Sequence, residues 1–193
     1  MGARWSEWSS SLEPVEAIQL PRYARRWYQI AALPTWFQQP DARDVTATYA
    51  LLADGTLHVR NEETRADGTH VVVNGVAELD PACRDEGACG RLLVAFEPSR
   101  EFPLIPPVPA RYWVIQLAAD YRYAVVSEPK RRYLWILSST PTLSAQDYTA
   151  IIARLSGTQG FSEETLSRLV RTQHTTTVAA AAKKVGGERG YRL

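Results

Sequence analysis

The sequence predicts an all-β fold, a sandwich or barrel of eight short antiparallel strands, followed by one α-helix. Three observations predict it. Short stretches rich in β-branched and aromatic residues recur between residues 27 and 138, each bounded by a turn signal or a proline. Asp54-Gly55 and Asp67-Gly68 sit between such stretches, where an aspartate-glycine pair is a strong hairpin signal. Helical spacing of apolar residues appears only after the last of them.

The first strand is Trp27–Leu33, ended by Pro34, and the second is Asp44–Ala53. Thr56–Glu63 and Thr69–Leu79 follow the two aspartate-glycine turns. A loop with Cys83 and Cys89 leads into Arg91–Glu97, and a proline-rich connection, Pro98–Pro109, leads into Arg111–Ala118. Tyr121–Ser127 and Arg132–Ser138 complete the eight. A helix is expected over 144–157: Ser144 suits the N-cap, Asp147 stands three residues on, and Gly157 lies near the end. Its apolar face would be Tyr148, Ile151, Ile152 and Leu155. Glu163–Val170 reads as a second helical or extended piece. Residues 1–17 read as a loose arm, since Trp5 and Trp8 carry no period. Residues 174–193 read as a flexible tail, since Ala179–Ala182 offer no apolar face.

Composition excludes several functions. Lys plus Arg is 22 against 21 Asp plus Glu, so no basic footprint for nucleic acid exists. No apolar run approaches the roughly 18–20 residues of a membrane-spanning helix. The histidines, His58, His70 and His174, have no sequence neighbours that would form a nucleophile or metal pattern, and glycine-rich phosphate loops are absent. No catalytic residue, metal or cofactor is therefore expected. Cys83 and Cys89 are either two separate thiols or a loop-stapling disulfide; a zinc site lacks two further ligands.

Alternation of strand side chains, with charges turned to solvent, orients the strands. Arg60 outside puts Leu57 and Val59 inside; Glu78 outside puts Val71, Val73, Gly75 and Ala77 inside. Glu97 outside puts Leu92, Val94 and Phe96 inside. By the same rule Trp113, Ile115 and Leu117, then Tyr121, Tyr123 and Val125, then Tyr133, Trp135 and Leu137 are expected inside. Leu134 and Ile136 would face out, where the apolar face of the 144–157 helix covers them. An eight-stranded barrel is wide enough either to be filled by its own side chains or to hold one small ligand.

Specific motifs narrow this. Arg22-Tyr23-Ala24-Arg25-Arg26-Trp27-Tyr28-Gln29-Ile30-Ala31, Val45-Thr46-Ala47-Thr48-Tyr49, Arg65-Ala66-Asp67-Gly68-Thr69, Tyr112-Trp113-Val114-Ile115, Asp120-Tyr121-Arg122-Tyr123-Ala124-Val125-Val126 and Tyr133-Leu134-Trp135-Ile136-Leu137-Ser138 with Thr140-Pro141 stand in one order. With Pro34 and Phe37-Gln38, they resemble the lipocalin family, in its apolipoprotein D and bacterial-lipocalin branch, over residues 18–173. The resemblance implies an up-and-down barrel, open at one end, carrying a small hydrophobic molecule such as a fatty acid or lysophospholipid. It implies no enzyme, although some lipocalin barrels do catalyse. It places Tyr49 and Trp113 on the pocket wall and makes Trp27 the structural ring that closes the floor. With the oriented strands, the expected ligand-binding set is Tyr49, Val59, Val73, Phe96, Trp113, Tyr123 and Trp135. The family's glycine two residues before that tryptophan is Arg25 here, and its later arginine is Ser139, so Arg25 is expected to supply the cation over Trp27. The branch's usual cysteines are absent. The family likeness implies a periplasmic or outer-membrane-associated place if a leader precedes this sequence, and residues 1–13, which lack a leader's pattern, otherwise imply a cytoplasmic one.

At the open mouth the expected residues are Trp36, Phe37, Phe102, Leu104, Ile105, Lys130 and Arg131. The apolar loop 102–109 is read either as a lid on its own barrel or as a contact surface for a membrane, a protein partner or a homodimer.

Overall fold

Asp54 and Gly55 show how this chain makes its hairpins. The Asp54 carboxylate accepts hydrogen bonds from the Thr56 backbone N–H (2.9 Å) and hydroxyl (2.7 Å). Gly55 takes the left-handed conformation, φ 86°, that such a turn requires. Asp67 repeats the device, accepting from the Thr69 N–H at 2.8 Å. The computed structural model describes residues 12–83, 89–98 and 109–175, and in it eight strands close into one antiparallel barrel.

The strands are β1 (Arg26–Ala32), β2 (Arg43–Leu51), β3 (Leu57–Thr64), β4 (His70–Leu79), β5 (Arg91–Phe96), β6 (Ala110–Leu117), β7 (Tyr123–Ser127) and β8 (Leu134–Ser138). They follow chain order around the barrel, and β1 closes it by pairing with both β8 and β2. This is the expected set of eight, with ends moved by a residue or two. A short helix α1 (Leu20–Tyr23) precedes β1; α2 (Ala145–Gly157) and α3 (Glu163–Ser167) follow β8. The segment left open between helix and strand is both, since α3 gives way to β9 (Val170–Arg171), which pairs with Ala31 and Ala32 of β1.

Connections alternate between two ends. The β1–β2 loop, β3–β4 turn, β5–β6 connection and β7–β8 loop share one end. The other end is closed by the segment before β1. Val15 donates to the Val114 carbonyl (2.8 Å) and accepts from the Gly90 N–H (2.8 Å). Gly90 permits this approach, because a Cβ there would lie 2.7 Å from both the Val114 carbonyl and the Val15 side chain. Leu12 and Ile18 are buried. Residues 12–17, expected to be loose, therefore lie against the barrel, whereas Trp5 and Trp8 fall outside the described residues. Cys83 and Cys89 are joined as a disulfide in the β4–β5 loop. The tail expectation lies outside the described residues from 176 onward. Up to Thr175 the chain is held to the barrel: the Asp44 N–H donates to the Gln173 carbonyl (2.8 Å), and the Thr175 hydroxyl donates to the Asp44 carboxylate (2.8 Å).

Two apolar clusters share the strands. One fills the barrel interior around Trp27, Tyr49, Leu57, Val59, Leu92, Val94 and Leu137. The other lies outside, where Ile151 and Leu155 of α2 cover Leu134 and Ile136 as expected. Ile136, Ile151 and Leu155 are wholly buried, and each such side chain stabilises by about 1.5–3 kcal/mol. The helix starts where its cap dictates: the Ser144 hydroxyl accepts from the Asp147 N–H (3.0 Å) and donates to the Asp147 carboxylate (2.9 Å). That carboxylate also holds Arg122 at 2.8 Å, fixing the helix to the turn before β7.

The faces of β6 and β7 differ from expectation. A register shift between Val114 and Gln116 puts Ile115 and Gln116 on the same outer side. Tyr112 and Val114 then point inward and Trp113 outward, with Arg91 of β5 stacked over it at 5.0 Å. Before β7, Tyr121 is buried in the interior cluster with φ 62°, which breaks alternation ahead of the strand. Ala124 and Val126 consequently face inward, and Tyr123 and Val125 pack outside with the helix cluster.

Candidate ligand-binding site

Trp27 lies wholly buried in the interior cluster, its indole N–H donating to the Tyr23 carbonyl at 3.0 Å. Tyr23 comes from α1, whose Pro21 is pre-set for the first helical turn, and its ring lies 5.1 Å from that of Trp27. The Tyr23 hydroxyl stands 2.7 Å from the Tyr112 hydroxyl, and the Tyr49 hydroxyl donates to Tyr112 at 3.0 Å. Three strand-borne or helix-borne phenols thus meet inside an otherwise apolar cluster. Burial pushes all of them up, Tyr49 to about 12 and Tyr23 and Tyr112 well above the ordinary tyrosine value. They stay protonated, so three O–H groups share two mutual bonds, and one donor remains for another acceptor.

The charged collar around this floor is Arg22 and Arg25. The Arg25 guanidinium carbon lies 5.9 Å from the centre of the Trp27 ring, at the outer edge of cation–π range. Its Nε donates to the Arg22 carbonyl at 3.0 Å, while Arg22 stacks over Tyr121 at 4.1 Å.

Above the floor, Val59, Phe96 and Trp135 belong to or pack against the interior cluster, together with Tyr49. Val73 shares the inward row of β4 with Val71 and Ala77 and is half-buried. Trp113 and Tyr123, expected on this wall, lie on the outer face for the reasons given above. Three inward residues were missed. Tyr112 was hidden by the register shift in β6, which no local signal announces. Asn61 and Glu63 follow Leu57 and Val59 by simple alternation along β3, a signal legible in the sequence.

At the mouth, Trp36 is 75% exposed and meets Phe37 edge-on at 5.4 Å. Phe37 leads inward through Tyr133 (5.9 Å) to Trp135, stacked on Tyr133 at 5.7 Å. Lys130 is exposed. Arg131, expected beside it, is turned to the end of α2: its Nε donates to the Gln159 carbonyl at 2.7 Å, and it sits 6.0 Å over Phe161. Phe102, Leu104 and Ile105 lie outside the described residues.

A family model described as a lipocalin-like domain matches residues 18–171. Temperature-induced lipocalin-1 of Arabidopsis thaliana is 37% identical over 143 residues, 74% of each chain. Outer membrane lipoprotein Blc of Escherichia coli K12 is 35% identical over 144 residues, 72% of this chain and 74% of that one. Apolipoprotein D of Mus musculus is 32% identical over 142 residues, 69% and 67% of the two chains. Among solved structures, insecticyanin of the tobacco hornworm Manduca sexta superposes with a TM-score of 0.67 at 20% identity, covering 86% of this chain and 85% of that one; this likeness concerns the fold. Lipocalins are in general binding and transport proteins for small hydrophobic ligands. The closed eight-stranded barrel, its outer helix and the match over most of the chain make this protein a member of the lipocalin-like family.

Proposed function

We propose that this chain binds and carries a small amphipathic lipid inside its barrel, a fatty acid or a lysophospholipid being the class expected. The observation that carries the reading is the tyrosine floor. Tyr23, Tyr49 and Tyr112 form a hydrogen-bonded, protonated group among apolar side chains, with a donor to spare. An apolar body with a small polar group matches such a site. Tyr49, Val59, Val73, Phe96 and Trp135 are proposed as ligand contacts, with Trp27 and Arg25 as parts of the floor. Delipidated protein titrated with palmitate and with a palmitoyl lysophospholipid tests this. A saturable one-to-one change in tryptophan emission that disappears in Trp135→Phe is expected; no response to either lipid would contradict it.

A second reading concerns the mouth. Trp36, 75% exposed at the open end, supports peripheral docking on a bilayer to collect the ligand, since tryptophan favours the membrane interface. Cosedimentation with phospholipid vesicles, abolished in Trp36→Ser, is the expected result; equal binding by the variant would contradict it.

A further inference from the structure

The inner wall of β3 carries a polar row in an otherwise apolar barrel. Leu57 and Val59 are buried in the interior cluster, and β3 pairs without a shift with β4 from Leu57 to Thr64. Alternation therefore turns Asn61 and Glu63 to the same side. Their partners across the sheet are apolar: Ala47 and Val73 beside Asn61, and Val71 beside Glu63. Arg65, the next residue of that row, reaches back toward Glu63, its Nε standing 3.7 Å from the Glu63 carboxylate.

Two buried atoms of this row have no hydrogen-bond partner among the described residues: Asn61 Oδ1, and Arg65 Nε, which has the Glu63 carboxylate only at ion-pair distance. One is an acceptor and the other a donor. A buried polar atom left unpaired costs stability, and such atoms in native proteins mark places that another molecule completes. Ala47 and Val73, the neighbours of Asn61 across the strands, offer it nothing polar, and a ligand in the barrel would reach its Oδ1 from the interior or the mouth.

We infer that Asn61, Glu63 and Arg65 form a head-group subsite for a lipid with a hydroxylated, glycerol-type head. This inference rests on the carrier reading and chooses within its ligand class. A hydroxyl donates to Asn61 Oδ1 or to the Glu63 carboxylate, and a neighbouring oxygen accepts from Arg65. A free carboxylate only accepts. It would satisfy Arg65, leave Asn61 Oδ1 unpaired and place a second negative charge beside Glu63, whose carboxyl burial already pushes up and Arg65 only partly restores. With one tail length, the barrel then separates lipids by their heads.

Calorimetric titration of the delipidated chain with monopalmitoylglycerol, palmitoyl lysophosphatidylethanolamine and palmitate tests this. Both glycerol-headed lipids are expected to bind about tenfold or more tighter than palmitate, the scale of one unpaired buried acceptor. The tighter of the two tells whether Arg65 takes a hydroxyl oxygen or a phosphate. Asn61→Leu should weaken both about tenfold and leave palmitate within about twofold. Glu63→Gln keeps an acceptor and removes the charge, so it should strengthen palmitate and narrow the gap. Palmitate binding as tightly as the glycerol-headed lipids in the unmodified chain would overturn the head-group subsite and leave the carrier reading standing. Binding of none of the three would overturn the carrier reading, and the subsite with it.

Discussion

The hydroxyl of Tyr112 lies 2.7 Å from that of Tyr23, deep in a barrel whose surrounding side chains are apolar. Tyr49 bonds to the same oxygen from the other side at 3.0 Å. Tyr112 is therefore the hub, and the other two phenols depend on it.

Removing the hub should cost more than removing either spoke. Tyr112→Phe leaves two buried hydroxyls unpaired and should destabilise by about 2–4 kcal/mol, whereas Tyr49→Phe leaves the Tyr23–Tyr112 bond intact and should cost about 1–2 kcal/mol. Urea unfolding of the variants checks the order. Equal costs would mean that the three hydroxyls do not act as a chain.

The same triad predicts a fall in stability in alkali. Unfolded, each phenol titrates near 10; folded, Tyr49 titrates at about 12. Between these values the folded chain holds a proton that the unfolded chain has released, so the Tyr49 contribution is full below pH 10, is lost as pH rises to 12 and changes no further above it, while Tyr23 and Tyr112, held protonated too, add to the fall. Tyr49 alone accounts for about 3 kcal/mol across that window. Urea midpoints measured at pH 9 and pH 11.5, with tyrosinate absorbance followed alongside, should show the fall and a delayed ionisation. A flat profile would contradict buried, protonated phenols.

Inner and outer aromatics should separate cleanly. Trp113 and Tyr123 lie on the helix side of the barrel wall and Trp135 on the inner side. Trp113→Phe and Tyr123→Phe should lower the unfolding midpoint and leave lipid affinity within about twofold. Trp135→Ala should instead weaken binding about tenfold or more, the scale expected when a large apolar side chain no longer covers the lipid. Titration of each variant with one lipid measures this.

Most of the barrel was legible in the sequence because its turns are spelled out locally. Asp54-Gly55 and Asp67-Gly68 set the hairpins, Ser144 with Asp147 set the helix start, and the outward pair Leu134 and Ile136 found its cover in Ile151 and Leu155. Turning charges outward failed where strand geometry departs from simple alternation. Gln116 does face out, yet the register shift beside it carries Ile115 and Trp113 out as well. Gln116 is also buried, its amide donating to Gln159 at 2.8 Å beneath α2. Arg122 stands in the bend ahead of β7, after the left-handed Tyr121, so its direction says nothing about Tyr123. The tyrosine floor was illegible for a different reason: it joins α1, β2 and β6, and no local pattern encodes that meeting.

Arg25 makes a smaller contribution. At 5.9 Å from the Trp27 ring and bonded to the Arg22 carbonyl, it should add no more than about 1 kcal/mol. Arg25→Ala is expected to lower the thermal midpoint by a few degrees without changing lipid affinity. An unchanged midpoint would show that Arg25 does not support the floor.

A barrel that carries a lipid should come out of purification with one inside it. Native mass spectrometry of the protein as purified, followed by solvent extraction and identification of what is released, tests it most directly. One bound lipid per chain is expected, removed by extraction and regained on adding the identified lipid back. A chain that flies at its bare mass, and stays there after incubation with single-chain lipids of every head group tried, would contradict it.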